Sequence, residues 1–249
     1  MRTPDPEATR RLTLAAGVLF LVTFITSIPA LALFQPVLDD PAGYIAGGGA
    51  DTRVLLGVAL EFLLIAANIG SALVLFPLLR SESEVLSLGF VSARIMESVF
   101  IAAGILCLLA IVSLRQDDPG AGALAVSLAQ IKDWTFLLGP GMVVGIGNGL
   151  ILGYLMYRSR LVPRPMAVLG MVAGPILFAA GIAVLFDAVP AGGFVQGLAT
   201  APEFVWELSL GVYLTVLGLR PSARGRDADA PDPTGTRHPG PRESATQPA

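Results

Sequence analysis

Several charged and amide side chains lie inside runs that otherwise suit lipid. Within the apolar run from Leu86 to Leu114, Arg94 and Glu97 are three residues apart, a spacing that puts them on one helical face and lets them pair. Other apolar runs hold Glu61 and Asn68, seven apart, Asn148, and Glu203 and Glu207, four apart. Each of these pairs shares a helix face. A charge at a bilayer centre costs about 2.5–3.5 kcal/mol on insertion scales, so these groups must face protein or water. The chemistry open to them is proton exchange and the holding of a small polar solute. The candidate buried site is therefore Glu61, Asn68, Arg94, Glu97, Asn148 and Glu207. Glu203 lies near the outer end of its run, where simple hydration accounts for it. Three acids against one arginine are over-negative if all ionise, so at least one is expected to hold a proton or a cation.

The remaining chemical side chains exclude more than they suggest. Cys107 is the only cysteine and His238 the only histidine, the latter in a proline-rich polar stretch. No thiolate metal site, intrachain disulfide or histidine-based triad can be assembled from them. No metal and no cofactor are expected, and no residue is assigned a catalytic role.

The elements that must position the polar groups follow from hydropathy. The chain has 249 residues, 54% of them hydrophobic and 14% charged, with a mean hydropathy of +0.72. Soluble domains carry about 25% charged residues. An all-α polytopic membrane protein is implied, with the lipid bilayer as its principal partner and no nucleic-acid surface. A helix crossing the hydrocarbon core needs about 20 apolar residues. Six runs qualify, approximately 12–34, 54–79, 86–114, 134–157, 167–187 and 199–219. Residues 1–11 form a short N-terminus, 12–219 the transmembrane domain, and 220–249 a tail. The tail has six prolines and no hydrophobic period, so it is expected to be disordered.

Basic residues orient the spans. Twelve fall in the N-terminus, the second and fourth loops and the tail, against Arg53, Arg115 and Lys132 on the opposite side. Cytoplasmic segments carry such an excess, which places both termini in the cytoplasm. Arg10 and Arg11 before the first run, with Ala30-Leu31-Ala32 near its end, resemble a secretory signal. That run is longer than a signal's 7–15-residue apolar core, which favours an uncleaved span.

Two stretches invite finer readings. In AGALAVSLAQIKDW, Leu124, Leu128 and Ile131 recur at i, i+4 and i+7; this segment is too short to span, and a helix lying in the outer interface is expected, with Trp134 at headgroup level. In GPGMVVGIGNGLILG, the glycines lie inside a continuous apolar run rather than between a strand and a helix, so they are not a phosphate loop. Gly141, Gly145, Gly149 and Gly153 recur every four residues and make a smooth stripe for close helix packing. Pro140 is expected to bend the outer end of this span.

The blocks RRLTLAAGVLFLVTFITSIPAL, ADTRVLLGVALEFLLIAANIGSALVLFPLLR, ARIMES, GNGLILGYLMYRSRLVPRPMAVLG and EFVWELSLGVYLTVLGL, in this order, resemble the bacterial multi-pass membrane proteins of domain-of-unknown-function family 4386. The resemblance covers roughly residues 10–220. It implies a bacterial inner-membrane protein and carries no activity, ligand or residue role.

The function favoured by these observations is non-enzymatic: a buried polar network that binds or moves a small solute or proton. A membrane-embedded enzyme using a buried carboxylate is the alternative, as is a structural or regulatory partner-binding protein. A small-molecule ligand is compatible with the sequence but is not identified by it. Absence of a repeat between the two halves lowers the transport reading.

Overall fold

The computed structural model describes residues 6–118 and 120–219. The expected disordered tail and His238 lie outside the described residues. Among the described residues the architecture is all-helical. In chain order it comprises α1 (Pro6–Asp39), α2 (Pro41–Ile45), α3 (Asp51–Leu79), α4 (Glu84–Asp117), α5 (Gly122–Leu138), α6 (Gly153–Ser159), α7 (Arg164–Leu185) and α8 (Phe194–Val216). Two π-helical segments, Gly139–Val143 and Gly145–Leu152, join α5 to α6. These four pieces form one continuous helix, Gly122–Ser159.

Five helices are long and apolar enough to cross a membrane: residues 7–39, α3, α4, the Gly122–Ser159 helix and α7. Helix α8 has 23 residues, enough length, but Gln196, Glu203 and Glu207 dilute its apolar content. Its first turn, from Phe194 to Leu198, is largely exposed. The fifth helix of this set and α8 both tolerate an internal proline, Pro175 and Pro202, as membrane helices commonly do.

The interfacial helix expected at 120–134 is not a separate element. Helix α5 runs without a break into the π segments, so the fourth long helix begins about three turns earlier than its apolar run suggests. The face it buries is also the reverse of the one expected. Ala125, Ala129 and Lys132 are buried, whereas Leu124 and Ile131 are about half exposed. The small side chains let α5 approach α4 closely, and Leu124 and Ile131 point outward, where a bilayer would receive them.

Neighbours in sequence are neighbours in space. Helix α1 packs on α3, α3 on α4, α4 on the Gly122–Ser159 helix, that helix on α7, and α7 on α8, which returns to α1. The long helices thus close into a ring with alternating direction. At one end lie the 80–83 and 160–163 turns and the start of α1 beside the end of α8, where Arg10 donates to the Val216 carbonyl. At the other end lie α2, the end of α4, the start of α5 and the 186–193 turn.

The apolar core is divided. One cluster, at the Arg10 end, joins Phe20, Leu75, Phe90, Leu152, Trp206 and Leu210. The second, at the α2 end, joins Phe34, Val54, Ile105, Leu108, Ile111 and Ala125 and contains no residue of α7 or α8. Between them, on the α8 side, the ring encloses polar groups.

Close backbone approach on one side of the ring depends on glycine. A Cβ added to Gly145 would meet the Gly174 carbonyl oxygen, and one on Gly153 would meet the Met171 nitrogen at 2.9 Å. Four-residue spacing drifts around a pure α-helix of 3.6 residues per turn. The wider π turns take up that drift, and Gly145, Gly149 and Gly153 all lie against α7. Gly141 does not join them: its nearest atoms belong to Phe136 and Leu137 of its own helix.

Candidate functional site

A cavity of about 250 Å³ occupies the polar level of the ring. Every long helix contributes to its wall. Helix α1 supplies Thr23, Ser27 and four phenylalanine or aliphatic positions, α3 supplies Glu61 and Asn68, α4 supplies Arg94 and Glu97, α5 supplies Lys132, α7 supplies Leu177, and α8 supplies Glu203 and Glu207.

The deepest part of the network is a closed triangle. Arg94 Nη1 donates to Glu97 Oε2 at 2.8 Å and Nη2 donates to Asn68 Oδ1 at 2.8 Å. Asn68 Nδ2 donates to Glu97 Oε1 at 3.0 Å. The i, i+3 spacing aligns Arg94 with Glu97, while α3 brings Asn68 to the same level. All three are at least 95% buried. The guanidinium also lies 5.5 Å from the centroid of the Phe20 ring, a position in which the ring face attracts the cation.

A second ion pair lies toward the α2 end. Lys132 Nζ donates to Glu61 Oε1 at 2.6 Å and sits 4.8 Å from the centre of the Phe34 ring. Lys132 reaches this position across Gly104: a Cβ there would meet Lys132 Cδ at 2.6 Å. Sequence reading placed Lys132 in an outer segment and missed it. A signal was present, since Ala125, Ala129 and Lys132 repeat at i, i+4 and i+7 on a small-residue face. Glu61 pairs with this lysine and not with Arg94.

The third group is on α8. Asn148 Nδ2 donates to Glu207 Oε1, and the Asn148 main-chain carbonyl accepts from Trp206 Nε1 at 2.9 Å. Glu203 was expected to be hydrated at a boundary. It is instead only 2% exposed, and neither of its carboxyl oxygens has a hydrogen-bond partner among the described residues. Its carboxyl is seated beside Gly149, where an added Cβ would meet Glu203 Oε2 at 2.7 Å. Thus the four carboxyls of the wall face two cations, both already engaged by Glu61 and Glu97.

The structure brings Glu61, Asn68, Arg94, Glu97 and Glu207 to one cavity wall and attaches Asn148 to it through Glu207. Among the described residues no three His, Cys, Asp and Glu side chains converge as a metal ion would need. Cys107 is buried away from a second thiol.

A ring of long apolar helices around a charged interior defines a multi-pass membrane protein of the all-helical class. A family model described as "Domain of unknown function (DUF4386)" matches residues 15–218, and the chain belongs to that family. No curated protein and no solved structure matches it.

Proposed function

We propose that this is a six-span protein of a bacterial inner membrane, with both termini in the cytoplasm, whose central cavity binds a small polar solute. The observation that carries the binding reading is the cavity itself: about 250 Å³ of space, bordered by four carboxyls and two cations and walled by the long apolar helices. Intramembrane ionisable groups that border a cavity mark solute or ion sites by default. The sixth span is α8, whose two glutamates face inward and so need not meet lipid. The orientation rests on the twelve-to-three distribution of basic residues about the spans.

A second reading has one specific observation in its favour. The Arg94–Glu97–Asn68 triangle is closed by its own side-chain hydrogen bonds, as expected of polar side chains that hold helices together. The two readings separate in a thermal-unfolding screen of the purified protein in nanodiscs, run across anionic, cationic, zwitterionic and neutral solutes on wild type and Arg94→Ala. A solute that stabilises wild type identifies a pocket; a screen silent for every class leaves only the structural role. For topology, reporter fusions at Tyr44, Gln116 and Gly192 should read outside, and fusions after Arg80, Arg160 and Arg220 cytoplasmic. An external reading for the last would remove the six-span assignment.

A further inference from the structure

The charge on the cavity wall is unevenly compensated, and that imbalance points to a class of ligand. Arg94 donates through both terminal nitrogens to Glu97 and Asn68, and Lys132 is paired with Glu61. Neither cation is hydrogen-bonded to α8. Glu203 and Glu207, one turn apart on the same helix, therefore line the cavity with no cation hydrogen-bonded to either among the described residues; Arg94 is near enough to attract both but is bonded elsewhere. Glu203 is the stronger indicator because it is buried and both of its oxygens lack a hydrogen-bond partner among the described residues. A buried carboxylate in that condition requires a proton or a cation.

The surroundings of this pair are apolar and aromatic. Phe24 and Phe204 meet edge to face beside it, with ring centroids 4.9 Å apart, and Phe136, Ile28 and Leu31 complete that part of the wall. Of the lining side chains, Ile28, Phe136, Phe204 and Leu31 are between 38% and 54% exposed. They lie toward the end where the apolar core lacks α7 and α8. The cavity thus combines half-exposed apolar and aromatic side chains with a wall that carries more carboxyls than cations. A bare inorganic cation needs neither the volume nor the rings, whereas an ammonium group on an apolar body uses both, through charge pairing and cation–π attraction.

Building on the pocket reading, we propose that the cavity takes a monovalent amphipathic organic cation, its ammonium group between Glu203 and Glu207 and its apolar part among Phe24, Phe136 and Phe204. Recognition is by charge at one end and by apolar contact at the other. Gly149 is part of this arrangement because the absence of a Cβ there makes room for the Glu203 carboxyl.

The test is calorimetric titration of the full chain in nanodiscs with three probes of similar size: 2-phenylethylammonium, 3-phenylpropionate and 2-phenylethanol, with a sodium chloride titration as a fourth arm. Binding of the ammonium compound, weakened about tenfold or more in Glu203→Gln and in Glu207→Gln while the phenylpropionate stays unbound, is the expected result. Unliganded thermal unfolding of each variant establishes that it is folded. Tighter binding of the anion or the alcohol, stabilisation by sodium alone, or ammonium binding unchanged in both folded variants would each overturn the cationic class and leave the pocket reading standing. Failure of all four probes also overturns it, and the pocket reading falls as well only if the wider solute screen is silent.

Discussion

Across one cavity, two walls hold charge in opposite ways. On the α3–α4–α5 side, Arg94 meets Glu97 and Lys132 meets Glu61, each pair at least 95% buried and closed by side-chain hydrogen bonds. On the α8 side, Glu203 and Glu207 have no cation bonded to them. The first wall pairs each cation with an acid and so can act as a fixed frame, with Glu61 Oε2 and Arg94 Nε its unpartnered buried atoms among the described residues, whereas the second holds two acids with no bonded cation. In a low-dielectric interior an unmatched carboxyl is costly, so its retention needs a compensating proton or ligand. The difference separates residues that hold the bundle from residues that await an occupant.

The comparison breaks most readily at Arg94. Arg94→Ala should destabilise the protein by about 3–5 kcal/mol, because it leaves Glu97 buried without its cation. Replacing both, as Arg94→Leu with Glu97→Leu, should cost less than the sum of the two single changes. A double-mutant cycle on unfolding in detergent measures this, and strictly additive losses would show that the frame is not a coupled pair.

Next in size is Gly149→Leu. Its side chain must enter space held by Gly174 and by the Glu203 carboxyl, so a loss of about 1–3 kcal/mol is expected from overpacking. Unchanged thermal stability would contradict the close α7 contact.

A partly exposed pair of charges sharpens the contrast. At the α2 end, Arg115 donates to Asp51 at 2.8 Å and to the Gly47 and Gly49 carbonyls, while the Tyr44 hydroxyl donates to Asp51 at 2.6 Å. Gly47 and Gly49 have φ of +109° and +77°, which favours glycine in a turn that points its carbonyls at the guanidinium. Burial of Tyr44, together with its bond to Asp51, pushes its pKa from 10.0 up to about 12. A raised folded-state pKa contributes stability that is present below pH 10 and is lost as pH rises through 12. Tyr44→Phe should therefore cost about 1 kcal/mol at neutral pH and flatten the alkaline part of the stability curve, as followed by unfolding at stepped pH.

The smallest effect is expected where the wall is incomplete. Without added ligand, Glu203→Gln should change stability by less than about 0.5 kcal/mol or raise it, because no bond is broken and a buried acid is removed. A loss as large as that of Arg94→Ala, in the same unfolding assay, would mean that Glu203 belongs to the frame and would erase the distinction between the walls.

Much of this organisation can be read along the chain, though unevenly. The runs around α1, α3, α4 and α7 are long and apolar, and Arg94 with Glu97 share a face because of a three-residue spacing that any helix imposes. Lys132 was not legible in the same way. Hydropathy treats a lysine ten residues into a mixed segment as a boundary, yet α5 turns Ala125, Ala129 and Lys132 inward and Leu124 and Ile131 out. Membrane helices favour that arrangement, since small residues permit close packing and lipid receives the large apolar ones. Glu203 was misplaced for a related reason: distance from the end of an apolar run says nothing about which side of the helix is covered.

The sequence by itself determined the class, the positions of most long helices, and the local pairing of Arg94 with Glu97, because hydropathy and helical period act within one segment. Only the tertiary structure decided the partners drawn from different segments. Asn68 closes the Arg94 triangle, Lys132 crosses Gly104 to reach Glu61, Asn148 holds Glu207, and Glu203 is left facing the cavity alone. Those outcomes depend on the rotation and depth of each helix against its neighbours, which the packing of small residues sets and which no single segment encodes.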